Sequence, residues 1–223
     1  MTVSKTDTVI VVGFLILVQG TGALAGFWLP AIAPEVGQSL GLSPSLIAYP
    51  VLILYIFAMI SSLMAGGFVT RFGAWRSSQA ALILIGISHL MFMNGSLIFL
   101  MLGSIILGSA YGLLTPPASH LLSKIVTPKN RNLVFSIRFT GVPLGGILAG
   151  LLAPPIALEY GWRESMLVTI LISIVVAVSM QPFRKKWDND RSKTSKIIRN
   201  PIADIKLVWK LTALKWVALS GLC

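Results

Sequence analysis

Six long apolar stretches dominate the sequence: roughly Val9 to Ala33, Leu46 to Val69, Ser78 to Met93, Leu97 to Ser119, Leu133 to Ala153 and Ser165 to Met180. None of them contains an aspartate or a glutamate. A helix rising about 1.5 Å per residue needs roughly 20 mostly apolar residues to cross about 30 Å of hydrocarbon, and all six meet or approach that length. Hydrocarbon offers no partner to backbone N–H and C=O groups, so such stretches must close their hydrogen bonds within a helix or a barrel. No strand-like alternation is present. The expected fold class is an all-α integral membrane protein, a six-transmembrane-helix bundle.

Turn and charge signals gather between the stretches, at Pro34 to Pro44, Arg71 to Arg76, Asn94 to Ser96, Lys124 to Arg131 and Pro154 to Glu164. A seventh apolar run opens near Leu211 and reaches Cys223, about 13 residues and too short to span. The expected organisation is a six-helix transmembrane domain over residues 1–183, a basic cytoplasmic linker over 184–210 and a truncated start of a seventh transmembrane helix over 211–223. Lys5, the run Val9 to Val18 and the triplet Ala23-Leu24-Ala25 also imitate a cleavable signal peptide. The apolar run continues through Phe27, Trp28 and Leu29, which favours an uncleaved first helix.

Charge sets the expected orientation. Of 18 Lys and Arg residues, ten lie at or after Arg184, which gives the +11 chain its basicity in one segment. Lys5, Arg71, Arg76, Lys124, Lys129, Arg131 and those ten fall on one side of the spans. Arg163 alone falls on the other, with Arg138 set aside as lying within a span. Basic residues flank the cytoplasmic ends of spans, so the N-terminus is expected in the cytoplasm of a multi-pass protein of an inner (cytoplasmic or plasma) membrane. A basic run beside a membrane exit attracts anionic lipid rather than nucleic acid, because no folded basic module accompanies it. Ile202, Ile205 and Trp209 recur at helical spacing in this segment, the pattern of an amphipathic helix on the membrane surface. The single cysteine excludes an intrachain disulfide. No metal cluster, cofactor loop or nucleophile triad is visible, so no enzyme and no cofactor are expected.

The spans repeat. Gly26-Phe-Trp-Leu-Pro30 in the first is echoed by Gly112-Leu-Leu-Thr-Pro116 in the fourth. Gly73-Ala74-Trp75-Arg76 introduces the third as Gly161-Trp162-Arg163 introduces the sixth, on opposite sides of the membrane. Two three-helix repeats of inverted topology are the architecture of alternating-access transporters.

On these residues the chain resembles the major facilitator superfamily, as the N-terminal half plus the start of the C-terminal half. Gly66-Gly67-Phe68-Val69-Thr70-Arg71-Phe72-Gly73-Ala74-Trp75-Arg76 is similar to the family's loop between helices two and three. Gly141-Val142-Pro143-Leu144-Gly145-Gly146 is similar to the Gly/Pro motif of the fifth helix. The resemblance implies a conformational-switch loop at Gly66, Thr70, Arg71, Gly73 and Arg76. It also implies a helix-packing motif at Gly141, Pro143, Gly145, Gly146 and Gly150. Thr70 stands where the family usually has aspartate, and Ala74 where a basic residue is usual. A threonine can cap a helix but cannot form the ion pair. The missing C-terminal half or a second copy of this chain is an implied partner. A non-transporting remnant or a half-size homodimer is the alternative.

Polar residues at membrane depth are the candidate substrate pathway for a small organic solute, since they are costly unless they meet a cavity or a partner. Arg138 lies about seven residues inside the fifth span on a face of small residues. It either attracts an anionic substrate or snorkels to cytoplasmic headgroups. Gln19 and Thr21 sit midway along the first span, lining the pathway or making a packing hydrogen bond. Tyr111 and Thr115 share a face of the fourth span beside Pro116 and Pro117, where freed carbonyls must be buried or line a cavity. Tyr49 and Tyr55 read as interfacial and packing residues. His89 and His120 read as satisfied packing residues, with a proton relay as the alternative.

Overall fold

A computed structural model describes residues 4–192 together with 194, 195, 197 and 209. The chain forms α1 (Lys5–Ala31), α2 (Ala33–Leu40), α3 (Ala48–Phe72), α4 (Ala74–Met93), α5 (Leu97–Gly112), α6 (Thr115–Ile125), α7 (Arg131–Phe139), α8 (Gly141–Tyr160), α9 (Trp162–Ser179) and α10 (Arg184–Trp187), with three short 3₁₀ turns. No strand occurs among the described residues. The six spans are α1, α3, α4, the pair α5–α6, the pair α7–α8, and α9.

Five of these spans are long and apolar enough to cross a membrane by length and composition alone. The third, α4, has 20 residues, enough for about 30 Å, but carries more polar side chains. Its position explains them. Ser77, Ser78, Gln79, Ser88 and His89 are all buried, because α4 is wedged against α5 and α9 and turns little of its surface outward. Polar groups are tolerated where a helix faces protein and finds hydrogen bonds.

The span boundaries differ from the sequence expectation in two places. Pro34 to Pro44 is not all loop: Pro34 opens α2 and Gly41, at φ 64°, closes it in the left-handed conformation. Pro154 and Pro155 do not end the fifth span, and α8 continues through both to Tyr160. They fall in its last two turns, where the carbonyls they leave unbonded find other partners more readily than at mid-helix.

Packing carries the repeat. The closest helix pairs are α1 with α8, α3 with α5, and α4 with α9. Exchanging the first three spans for the last three turns the α1–α8 pair into the α3–α5 pair and leaves α4–α9 unchanged, as a two-fold relation requires. The two Gly/Trp/Arg turns agree. Gly73 (φ 95°, ψ 155°) and Gly161 (φ 98°, ψ 148°) adopt nearly the same backbone, each closing one helix and opening the next. That region is open to glycine and strained for other residues.

Close helix contact marks both members of that related pair: in α3–α5 a β-carbon at Gly108 would collide with the Leu54 carbonyl oxygen and one at Gly112 with that of Ala58, and α1–α8 is as tight. A β-carbon at Gly145 would lie 2.3 Å from the Gly20 carbonyl oxygen, and one at Gly141 would lie 2.7 Å from that of Ile16. Gly146 instead neighbours the Phe27 ring, and Gly150 meets nothing within 4 Å. Two glycines of the Gly/Pro motif therefore weld the fifth span to the backbone of the first, Gly146 leaves room for an α1 side chain, and Gly150 faces open space. In α1, Ala23, Leu24 and Ala25 are buried within one continuous helix.

At the basic end of the bundle the chain after α9 folds back over the helix ends. Trp187 stacks on Trp75, and Phe14 packs edge-on to the same ring at 5.5 Å. Asp188 places Oδ1 2.8 Å from the Trp75 N–H and Oδ2 3.0 Å from the Arg76 N–H, so a residue from beyond the sixth span caps the third. A β-carbon on Gly73 would collide with this carboxylate. Burial pushes the Asp188 carboxyl above its usual range, against the pull of those N–H groups and of Arg184 and Arg191. Asp190 accepts from His120 Nε2 at 2.7 Å and pairs with Lys124. Burial opposes ionisation there too, yet the Lys124 and His120 bonds prevail and hold its carboxyl below the usual range. His120 is thus a half-buried hydrogen-bonding partner of Asp190 rather than the packing residue expected of it. Asp188→Ala is expected to leave two N–H groups of α4 bare, costing about 1–2 kcal/mol. Thermal unfolding in detergent should report it as a loss of about 2–8 °C in Tm. An unchanged Tm would remove the cap from the account of this fold.

Ile202, Ile205 and the stretch 211–223 lie outside the described residues, while Trp209 is helical and exposed.

Candidate functional site

Two broken helices meet at Arg138. The fourth span is interrupted at Leu113–Leu114, between α5 and α6, because Pro116 and Pro117 occupy the first turn of α6 and cannot supply N–H groups to continue α5. The fifth is interrupted at Thr140, between α7 and α8, and Pro143 follows in the first turn of α8. Arg138 stands just before the second break and reaches across to the first. Its Nη2 donates to Gln19 Oε1 at 2.5 Å, to the Leu114 carbonyl at 3.3 Å and to Thr115 Oγ1 at 3.5 Å. Three spans therefore contribute to one hydrogen-bonded cluster, the backbone carbonyl coming from the interrupted turn itself.

The guanidinium is fully buried, at 0% exposure. It lies 4.8 Å from the Phe139 ring centroid, a cation–π contact that adds little at one face. Gly141, Gly145 and Ala149, on its side of the fifth span, are buried against α1. The side chain thus turns into the bundle and not toward headgroups. Its Nε and Nη1 have no hydrogen-bond partner among the described residues, and no carboxylate there pairs with it. A guanidinium carries five N–H donors, and leaving several bare in an apolar interior costs free energy that an incoming acceptor recovers.

The other expected pathway residues surround this cluster without joining it. Thr21 is buried in α1 but takes no part in the Arg138 bonds. Tyr111, half-buried, packs over Gly26 and edge-on to Tyr55 at 6.4 Å. Sequence reasoning grouped Gln19 and Thr115 with Arg138 only as separate polar residues at depth. The signal it passed over was the pair of proline-marked breaks in consecutive spans, which places both interrupted turns near one level. His89 is buried, with Nδ1 near the Ile85 carbonyl and Ser88 Oγ, and lies apart in α4.

The switch-loop residues lie at the basic end and share none of the hydrogen bonds of this cluster. Thr70 does not cap a helix: within α3 its hydroxyl donates to the Gly66 carbonyl at 2.8 Å. Its carbonyl accepts from Ser192 N–H, and Arg71 Nη1 donates to the Ser195 carbonyl at 3.0 Å. A β-carbon on Gly66 would meet nothing within 4 Å outside its own helix, and Arg76 is exposed. Among the described residues no three His, Cys, Asp or Glu converge on a metal position.

Six membrane helices in two inverted triplets, with interrupted helices converging on a buried cation, define a multi-pass membrane protein of the transporter architecture. The Major Facilitator Superfamily model matches residues 13–223, and the chain belongs to that family. A gallate transporter of Pseudomonas putida is 27% identical over 160 residues, which is 69% of this chain and 34% of that protein. The crystal structure of the peptide transporter POT in complex with sulfate superposes with a TM-score of 0.68 at 20% identity, over 97% of this chain and 45% of that one. The POT family transporter PepTSo gives 0.64 at 16% identity, over 80% and 38%. The chain thus spans about a third of that curated relative and under half of these solved transporters, and the structural likeness speaks for the fold alone.

Proposed function

We propose that this chain is the N-terminal six-helix half of a secondary active transporter that moves a small organic anion, an aromatic carboxylate in the first instance, by alternating access. Arg138 carries the reading: a buried guanidinium with two nitrogens lacking a partner among the described residues, held at the junction of two broken helices by Gln19, Leu114 and Thr115. A carboxylate is the acceptor that satisfies such a cation most strongly. The likeness to a gallate transporter supports the class, gallate being a trihydroxybenzoate. The family's span count and the share of each relative covered support residues 1–183 as one transmembrane half, 184–210 as the connection to a second, and 211–223 as the start of its first helix. The second half, or a second copy, would close the other wall of the pathway. The distribution of basic residues supports a cytoplasmic N-terminus in an inner membrane.

The direct test is stabilisation by ligand. Gallate at ten times its Kd should raise the Tm of the purified protein by about 3–6 °C, and pyrogallol, the same ring without its carboxylate, should not. Equal effects from both, or none from gallate or benzoate, would overturn the anionic reading.

A further inference from the structure

A second site lies between α4 and α9, away from Arg138 and on the outer flank of the bundle. It is a groove of about 460 Å³ lined by Arg76, Gln79 and Ile83 from α4 and by Ile174, Val178 and Gln181 from α9. The two helices run antiparallel here. From Arg76 to Ile83 and from Gln181 back to Ile174 is seven residues each, about 10 Å of helical rise. Both walls therefore grade in the same direction, from a polar mouth at the basic end of the bundle to isoleucine about 10 Å deeper.

The residues at the two levels have unlike character. At depth, Ile83 is 55% exposed, Ile174 49% and Val178 65%, a surface suited to hydrocarbon. At the mouth, Arg76 is exposed and makes no ion pair among the described residues. Asp188 is the nearest acid, and its two oxygens are occupied by the Trp75 and Arg76 N–H groups, with Arg184 beside it. Arg184 and Lys185 add positive charge at the same end of α9. One turn below Arg76, the buried Gln79 donates from Nε2 to the Ala177 carbonyl and to Gln181 Oε1, while its own Oε1 lacks a partner among the described residues.

We infer that this groove is a binding site for one anionic phospholipid of the leaflet on the basic side, its phosphate on Arg76 and one acyl chain along Ile83, Ile174 and Val178. Length, polarity gradient and charge all fit that occupant. A free anion would leave the apolar wall unused, and an uncharged hydrocarbon would leave Arg76 unpaired. Phosphatidylglycerol is the probe of choice, because its net charge matches an uncompensated arginine.

Native mass spectrometry of the purified protein titrated with phosphatidylglycerol or phosphatidylcholine tests the site. The wild type should retain phosphatidylglycerol in preference. Arg76→Gln should cut that retention about five-fold, the factor that about 1 kcal/mol per basic residue gives, and leave phosphatidylcholine unchanged. Val178→Trp, a change at an exposed position that the fold should accept, should fill the groove and lower the retention of both lipids. Equal retention by wild type and both variants, no preference between the lipids, or a protein dimer that forms without lipid and is broken by Val178→Trp would overturn the proposal.

Discussion

Gly145→Ala is expected to weaken the bundle, and Gly150→Ala, five residues along the same helix, to leave it unharmed or firmer. A methyl at Gly145 would stand 2.3 Å from the Gly20 carbonyl oxygen and 2.7 Å from the Leu24 nitrogen, both backbone atoms of α1 that no rotamer change can move aside. The helices must separate, and the Gly141 contact one turn away is lost with them. Overpacking of this kind costs about 1–3 kcal/mol and more where backbone is displaced. In thermal unfolding that corresponds to a Tm lowered by about 2–12 °C. At Gly150 nothing lies within 4 Å, so the same substitution gains the helix preference of alanine over glycine, up to about 1 kcal/mol. Gly145→Ala without a loss of Tm would mean that α1 and α8 are not held at this distance. Equal losses at both positions would show that the contact at Gly145 does not set the cost, since helix propensity alone would raise Tm at both.

The same contrast marks how far the sequence was legible. The six spans follow from composition and length, because lipid leaves the backbone no alternative to the helix. The inverted repeat was readable in Gly73-Ala74-Trp75-Arg76 and Gly161-Trp162-Arg163, since the backbone that these glycines adopt admits few other residues. A glycine within a helix is more ambiguous. Gly141 and Gly145 permit contact and Gly150 does not, yet all three look alike as letters, and only the rotation of α8 against α1 separates them. Pro154 and Pro155 misled for a related reason. Proline interrupts a helix ladder at one or two bonds, and whether the chain bends there depends on its neighbours. Long-range capping was the least visible feature. Asp188 lies more than a hundred residues from the helix it caps, in a segment whose composition suggests only a basic linker. Position 70, where the resemblance implies an acid, is threonine, and the carboxylate at the start of α4 is that of Asp188, which no local pattern announces.

At the candidate site the sequence supplied the anomaly and the structure supplied its partners. Arg138→Gln is expected to reduce uptake of an aromatic carboxylate by at least about 30-fold in cells expressing the protein, with the protein still present in the membrane. The argument runs from desolvation. The guanidinium is already out of water, so the fold has met most of the cost of burying it, and a carboxylate arriving at Nε and Nη1 gains an ion pair little weakened by solvent. Removing one partner of a buried, hydrogen-bonded charge pair typically costs about 2–5 kcal/mol, and the low end of that range corresponds to about 30-fold. Arg138→Lys separates charge from geometry: lysine keeps the cation but cannot hold Gln19, Leu114 and Thr115 while offering further donors to the solute. Uptake by Arg138→Lys should therefore fall between the wild type and Arg138→Gln. Gln19→Ala should act in the same direction with a smaller effect, because it releases Nη2 from its shortest bond at 2.5 Å and lets the guanidinium leave the junction of the broken helices. Carboxylate uptake by Arg138→Gln at the wild-type rate would assign Arg138 to packing the first, fourth and fifth spans together, a role in which Tm would fall and transport of the remaining folded protein would not.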